Sequence, residues 1–381
     1  MKRRTRAQSP FLPTPRQRDT LAPNSPLAMV LRTLPDTTEP LDGPLLETAI
    51  PAVIPGVRVE LSEEQIAQAL TLIQDMREKK IEPYAKNSRR GMRSDWRHWM
   101  AFCAQRHRVA MPISVEDLCE FIQALIEAGY KRATLEHLLF TLAEASRLWG
   151  CPNPADTQLW KAFWRDRKRE RLTKRQHQAA PLNLEEVDQV LEKVDPESPR
   201  SIRDALFAAC AYDMLARASE LVDMRWDGIT FDAGPDGGAT YLLERAKGDQ
   251  DGEGAITYLQ PETVVLLRAW AEHRDPDNEH VFHALPRYEG HKIDTTRRLN
   301  VREASRIFDR LASRSGLGKA LSGHSARVGA AQDMTRAGLD LPAIMQAGRW
   351  RSPQMPARYA ANELATKVGK SRRAALNKLR K

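Results

Sequence analysis

The sequence predicts a mainly α-helical protein of two domains, the second made α+β by one small antiparallel sheet. Three observations carry that prediction. Apolar residues recur at helical spacing over most of the chain from Leu61 onward. One stretch, Ile229 to Tyr258, breaks the pattern: Gly234, Gly237, Gly238, Gly248, Gly252 and Gly254 alternate with short apolar runs. Between the two helical regions lies a dense run of cations, Arg165, Arg167, Lys168, Arg169, Arg171, Lys174 and Arg175.

Composition narrows the class further. A length of 381 residues suits two or three domains, and 41% apolar residues suffice for true cores. Lys and Arg number 59 against 50 Asp and Glu, an excess that suits a polyanionic partner. Cys103, Cys119, Cys151 and Cys210 form no CxxC pair, so no zinc framework or other metal site is expected. Scattered cysteines of this kind read as buried thiols in a reduced compartment. The basic N-terminus is not followed by an apolar run, and no stretch of eighteen apolar residues occurs. A soluble, cytoplasmic protein with no membrane partner and no cofactor is the expectation.

Residues 1–58 hold ten of the 24 prolines and open with Lys2, Arg3, Arg4 and Arg6. With no sustained period, they read as a disordered basic tail. Residues 59–165 read as a helical bundle. Leu61 to Lys79 is a first amphipathic stretch. The second, Arg89 to Arg106, places Met92, Trp96, Trp99 and Cys103 on one stripe. Lys86, Arg90, Arg93 and Arg97 make another stripe, which reads as a line of phosphate contacts. Ser114 and Asp117 form a variant capping box ahead of Leu118, Phe121, Ile122 and Leu125. A further helix carries Leu135, Leu138, Leu139, Leu142 and Trp149, and a short one carries Trp160, Phe163 and Trp164.

Residues 166–181 read as a basic linker. Joined to two helical domains, it makes the clamp that a nucleic-acid duplex requires, with Arg165, Arg167, Lys168 and Arg169 on phosphates. The second domain, 182–381, opens on a capping box from Asn183 and Glu186. Its sheet is expected from Tyr241-Leu242-Leu243 and Ile256-Thr257-Tyr258. Helices resume at Thr263 and near Val301, Ala326, Ala343 and Asn362. Gly369 is expected to break the last of these, with Ser371 capping a short terminal helix. A helix so short must dock on something.

No HExxH, Walker loop or dinucleotide loop is present. What remains is a set of cations with one histidine and one tyrosine. His324 and Arg327 lie three apart at a helix start, where an anion is favoured. Arg217 lies three before Glu220, a spacing at which the carboxylate orients the arginine or holds a neighbouring element. Taken singly, such pairs are more often structural.

The passage from Ser322-Gly-His-Ser-Ala-Arg-Val-Gly to Gln346-Ala-Gly-Arg-Trp350 makes the set specific. It resembles the catalytic region of the phage integrase, or tyrosine recombinase, family, and is especially similar to the Cre recombinase branch. The resemblance covers about 60 to 381 and implies a DNA strand transferase. By resemblance, Arg217 is the first arginine and Glu220 its acidic buttress. Lys247 is the lysine of the β-hairpin, with Lys292 as the alternative. His324 and Arg327 are the central pair, Trp350 follows, and Tyr359 is the nucleophile. Arg302 and Arg306 fall on a helix that approaches the major groove in the family. Arg349 stands where a small residue is expected and reads as an added phosphate contact.

The chemistry agrees with that assignment. A phosphodiester gains charge in a five-coordinate transition state, and two guanidiniums can counter it. Tyrosine, with an ordinary pKa of about 10, needs a base or hydrogen-bond partner such as His324. Lys247 can protonate the leaving 5′ oxygen, and the Trp350 indole N–H can donate to a phosphate oxygen. A phosphotyrosine conserves the bond energy, so resealing needs neither ATP nor metal. The implied partners are double-stranded DNA with an inverted-repeat site and a homotetramer on two paired sites, with C-terminal helices exchanged between subunits. The alternatives are a type IB topoisomerase, a telomere resolvase, or a non-catalytic DNA-binding protein on the same scaffold.

Overall fold

The computed structural model describes residues 10–11, 84–108, 110–148, 150–173, 178–232, 237–244, 254–286 and 295–378. They form two compact units that divide between Gln176 and His177. The Leu61 to Lys79 stretch, Trp149, Lys174 and Arg175 lie outside the described residues.

The first unit contains α1 (Lys86–Arg106), α2 (Val115–Glu127), α3 (Arg132–Leu148) and α4 (Gln158–Glu170). Helix α2 starts where the Ser114 hydroxyl accepts the Asp117 N–H at 3.0 Å, satisfying one orphan donor of the first turn. It buries Leu118, Phe121, Ile122 and Leu125, the i, i+3, i+4, i+7 face of a helix. Thr157 caps α4 through the Trp160 N–H. The core centres on Trp99, Phe102 and Phe121, whose ring centroids lie 5.2–5.4 Å apart. Each such aromatic pair adds about 0.5–1.5 kcal/mol beyond area burial.

Three expectations change in this unit. Phe11 falls in the stretch read as a disordered tail, yet it is buried against Phe102 and Phe121. One aromatic ring can fill a gap in an aromatic cluster without any periodic pattern around it. The cationic stripe of α1 is not uniformly open to solvent. Arg90 is exposed and Arg97 half-buried, but Arg93 is only 4% exposed. Arg93 lies three residues before Trp96 and seven before Met100, both buried, so it falls on the packed arc of the helix. The side chain of Lys86 lies outside the described residues. Finally, α4 runs on to Glu170, so Arg165, Arg167, Lys168 and Arg169 sit on its last turns and not in a linker. Arg and Lys are good helix formers, and cations are favoured at a helix C-terminus. Arg167 and Lys168 also lie over the rings of Phe163 and Trp164.

The second unit is built around α6 (Pro199–Asp213), buried from Ser201 to Ala211. Packed on it are α5 (Leu184–Glu192), α8 (Pro261–Ala271), α9 (Val301–Arg314) and α10 (Ser325–Arg336). Asn183 and Glu186 close the capping box of α5. After the short α7 (Ala218–Val222) come β1 (Ile229–Phe231), β2 (Ala239–Leu243) and β3 (Ala255–Leu259), an antiparallel sheet in sequence order. Ala239, Tyr241 and Leu243 turn inward, the period-two burial of a strand with one packed face. The chain closes with α11 (Leu341–Ala347), α12 (Gln354–Tyr359) and α13 (Ala361–Lys378). Helix α13 passes straight through Gly369, so neither the expected break nor a Ser371 cap exists. One interior glycine costs only about 1 kcal/mol against alanine, which an 18-residue helix tolerates.

Asp213, at the end of α6, accepts the Gln260 N–H at 2.9 Å and the Thr263 hydroxyl at 2.7 Å, pinning α8 to α6. Burial lifts its carboxyl to about 6, against those two hydrogen bonds. A raised carboxyl pKa means that the folded state holds the proton more tightly than the unfolded chain. Its contribution to stability is then greatest below about pH 4 and is lost as pH rises through 6. Asp213→Asn, whose amide oxygen can accept both bonds, should gain on the order of 2 kcal/mol at pH 7. The gain should shrink toward zero at pH 4. Urea unfolding of both proteins across that range checks it, and a gain independent of pH contradicts it.

Candidate functional site

The site forms where three helix ends of the second unit converge. Helix α6 ends in a Schellman motif, with the Ala216 N–H on the Ala211 carbonyl and Leu215 at φ 45°. That turn delivers Arg217 to the N-cap of α7. There its N–H donates to Glu220 Oε2 at 2.9 Å and its Nη1 to Oε1 at 2.5 Å. Helix α11 ends the same way: the Arg349 N–H bonds to the Gln346 carbonyl and the Trp350 N–H to that of Met345. Here the left-handed residue is Arg349, at φ 54°. Glycine is usual at that place, and an L-residue pays roughly 1–2 kcal/mol for it.

Helix α10 supplies the third side. His324 is its exposed N-cap, and Arg327 lies one turn on, 2% exposed. Arg327 donates to the carbonyls of Leu215 and Gly348, the latter at 2.9 Å. Its guanidinium lies 4.7 Å from the centroid of the Trp350 ring. Trp350 in turn meets Tyr359 edge-on, with centroids 5.8 Å apart. Gly348 is required for this arrangement, since a Cβ there would stand 2.0 Å from the Trp350 ring.

Electrostatics follow from this packing. Burial, then repulsion from Arg217, pushes the Arg327 guanidinium down to about 10. Burial alone would raise the Glu220 carboxyl. The Arg217 N–H, the Arg349 charge and the Arg217 guanidinium overrule it and hold that carboxyl below its ordinary range. The site is thus a partly buried cluster of cations around one ionised carboxylate.

Of the residues singled out in the sequence, Arg217, Glu220, Arg327, Trp350 and Tyr359 come together here, with His324 at the same helix start as Arg327. Lys247 and Lys292 lie outside the described residues, Lys247 within the β2–β3 connection. Arg302 and Arg306 are exposed on α9, away from its buried face, and Arg306 pairs with Glu303 at 2.9 Å. The expectation for Arg349 is corrected. It is drawn inward, with Nη2 on Glu220 Oε2 at 2.9 Å and Nη1 on the Met214 carbonyl at 2.9 Å. Two further residues were not foreseen. Gln332 and Gln178 each donate a side-chain N–H to the Tyr359 carbonyl at 3.1 Å. Neither carried a sequence signal: Gln332, five residues after Arg327 on α10, is off its helical face, and Gln178 stands outside every motif. Among the described residues, no cluster of His, Cys, Asp and Glu could hold a metal, and no helix is long and apolar enough to cross a membrane.

A mainly helical pair of units, the second holding arginines, a tryptophan and a tyrosine at one set of helix ends, defines the class. Residues 181–365, within this second unit, match the phage integrase family. It is 27% identical to recombinase cre of Escherichia phage P1 over 324 residues, which cover 81% of this chain and 92% of that protein. It is 25% identical to the integrase/recombinase xerD homolog of Selenomonas ruminantium, over 72% of this chain and 81% of that protein. The fold is shared with XerH site-specific recombinase, whose crystal structure is a post-cleavage complex with palindromic difH substrate. That likeness has a TM-score of 0.54 at 13% identity and covers 91% of this chain and 95% of XerH.

Proposed function

We propose that the chain is a site-specific tyrosine recombinase, cutting and rejoining DNA between two specific sites through a 3′-phosphotyrosine at Tyr359. The observation that carries this reading is the meeting of Arg217, Arg327, Trp350 and Tyr359 at one cluster of helix ends. Arg217 and Arg327 face the phosphate and stabilise the charge that builds on its non-bridging oxygens. Tyr359 Oη attacks phosphorus and gives up its proton toward His324. The 5′ oxygen leaves as a hydroxyl, with its proton from Lys247. A 5′-hydroxyl from the partner strand then attacks the phosphotyrosine and releases Tyr359. Trp350 packs the site and donates its indole N–H to the phosphate.

The first unit and α9 serve as the DNA-binding surfaces, through exposed Arg90, Arg165, Arg169, Arg302 and Arg306. Two subunits occupy an inverted-repeat site, and two such sites make a homotetramer. Helix α13, with Val368 and Leu376 exposed at 64% and 50%, supports exchange between subunits. So does the apolar groove of about 600 Å³ lined by Leu339, Leu341, Ile344 and Val368.

Replacing Arg90, Arg165 and Arg169 by glutamine should flatten the slope of log K against log salt by about one unit per lost phosphate contact. Arg93→Met, which removes a buried cation, should leave the slope unchanged. Equal slopes for all of these proteins would make the surface cations merely solvated.

Two labelled duplexes carrying the footprinted site test the function. Strand-exchange products should form without ATP or metal. Relaxation of supercoils without exchange would favour a topoisomerase, and hairpin ends a telomere resolvase. A gel shift with no covalent complex would leave only a DNA-binding protein.

A further inference from the structure

Arg349, like Leu215, stands where the backbone favours glycine. It occupies the left-handed position of a Schellman motif, where glycine fits without strain. Its side chain is 10% exposed. Arg217 and Arg349 both pair with Glu220, and Arg327, bonded only to backbone carbonyls, adds its charge beside them, which leaves a formal excess of two positive charges in a shielded site. An isolated arrangement of that kind is costly, and it is relieved by an anion.

The hydrogen bonds divide the work. Glu220 Oε1 belongs to the Arg217 guanidinium, whereas Oε2 is held by Arg349 Nη2 and the Arg217 N–H. Arg349 also reaches the Met214 carbonyl at 2.9 Å and that of Leu215 at 3.4 Å. It therefore ties the end of α11 to the end of α6, the turn that delivers Arg217. Leu215 gives the same carbonyl to Arg327. One side chain thus touches the support of both arginines that face the phosphate.

We propose that Arg349 is a positioning residue of the phosphate site. It fixes Glu220 and spends that carboxylate's charge on itself, so Arg217 is held in place yet keeps its charge for the phosphate. The inference rests on the recombinase reading above. Without Arg349, Glu220 would neutralise Arg217 more fully, and the α6 turn would lose its brace.

The test compares Arg349→Gly, Arg349→Lys and the parent, each as the full chain, on a nicked half-site that traps the covalent complex. Glycine accepts the backbone conformation, so the variant folds and its half-site Kd should stay within about threefold of the parent. Its capture rate should fall about 30-fold, a transition-state loss without a binding loss. Lysine can keep the contact with Glu220 and should recover most of that loss, to within about fivefold of the parent. A second substrate carries a methyl group in place of one non-bridging oxygen of the scissile phosphate and is uncharged there. On it, parent and glycine variant should differ by less than about threefold, because the charge that Arg349 releases has no anion to meet. An unchanged capture rate for Arg349→Gly overturns the inference while leaving the recombinase reading intact. So does an equal loss on both substrates, which would mean packing damage. No covalent complex from the parent would remove the recombinase reading, and the inference with it.

Discussion

Tyr359→Phe is expected to abolish strand cleavage, by at least about 10⁴-fold, while half-site binding stays within about twofold. The size of the effect follows from the chemistry. No other group in the described site combines a nucleophilic oxygen with a place beside Arg327 and Trp350, and water would not conserve the bond energy. The preservation of binding follows from the packing. The phenyl ring keeps its edge-on contact with Trp350, and the main-chain carbonyl keeps its two donors, Gln332 and Gln178. Measured by capture on a nicked duplex and by gel shift, the mutant should bind and do nothing further. Cleavage that survives in the purified mutant sinks the assignment of the nucleophile.

The second large effect is expected at Arg217 and Arg327, the two arginines proposed to hold the phosphate. Arg217→Gln and Arg327→Met should each slow capture about 10²–10³-fold, or about 3–4 kcal/mol of transition-state stabilisation, with half-site Kd changed less than about fivefold. Their effects on stability should differ from their effects on rate. Removing Arg327 takes the donor from the Gly348 carbonyl, a cost of about 1–3 kcal/mol for a buried group, while the Leu215 carbonyl keeps Arg349. It also removes a buried cation whose charge burial and Arg217 both oppose. The two terms offset, so the midpoint of thermal unfolding should move by only a few degrees while catalysis collapses. A loss of rate that merely follows a loss of folded protein would make Arg327 a structural residue.

Much of this site was legible in the sequence, for physical reasons that can be named. Capping residues act over three or four positions, so Ser114 with Asp117 and Asn183 with Glu186 announce α2 and α5 directly. The pairing of Arg217 with Glu220 is equally local, because the N-cap and the third helical residue face each other. The gathering of Arg217, Arg327, Trp350 and Tyr359 spans 143 positions of the numbering and could come only from the family resemblance, not from spacing.

What the sequence hid is tertiary. Arg93 has the spacing of a solvent stripe, but α1 is packed around a wider arc than its tryptophans indicate. Arg349 reads as an added phosphate contact until the turn after α11 aims it at Glu220. Gln178 stands far from Tyr359 along the chain and carries no pattern. Phe11 sits in a proline-rich stretch whose composition argues for disorder, yet one ring finds the aromatic core. Gly369 was weighted as a breaker, although tertiary and helical context outweigh a single weak propensity.

Tyr359 is proposed to become covalently joined to a DNA phosphate. The direct measurement traps the protein on a nicked duplex of its footprinted site, digests the complex with trypsin and nuclease, and weighs the peptides. Residues 359–367 form one tryptic fragment that contains a single tyrosine, at its first position. That fragment should carry the mass of a nucleotide joined through its phosphate, in a linkage stable to the alkaline β-elimination that strips serine phosphoesters. An adduct on any other residue, or a stable shifted complex with no adduct at all, would contradict the claim.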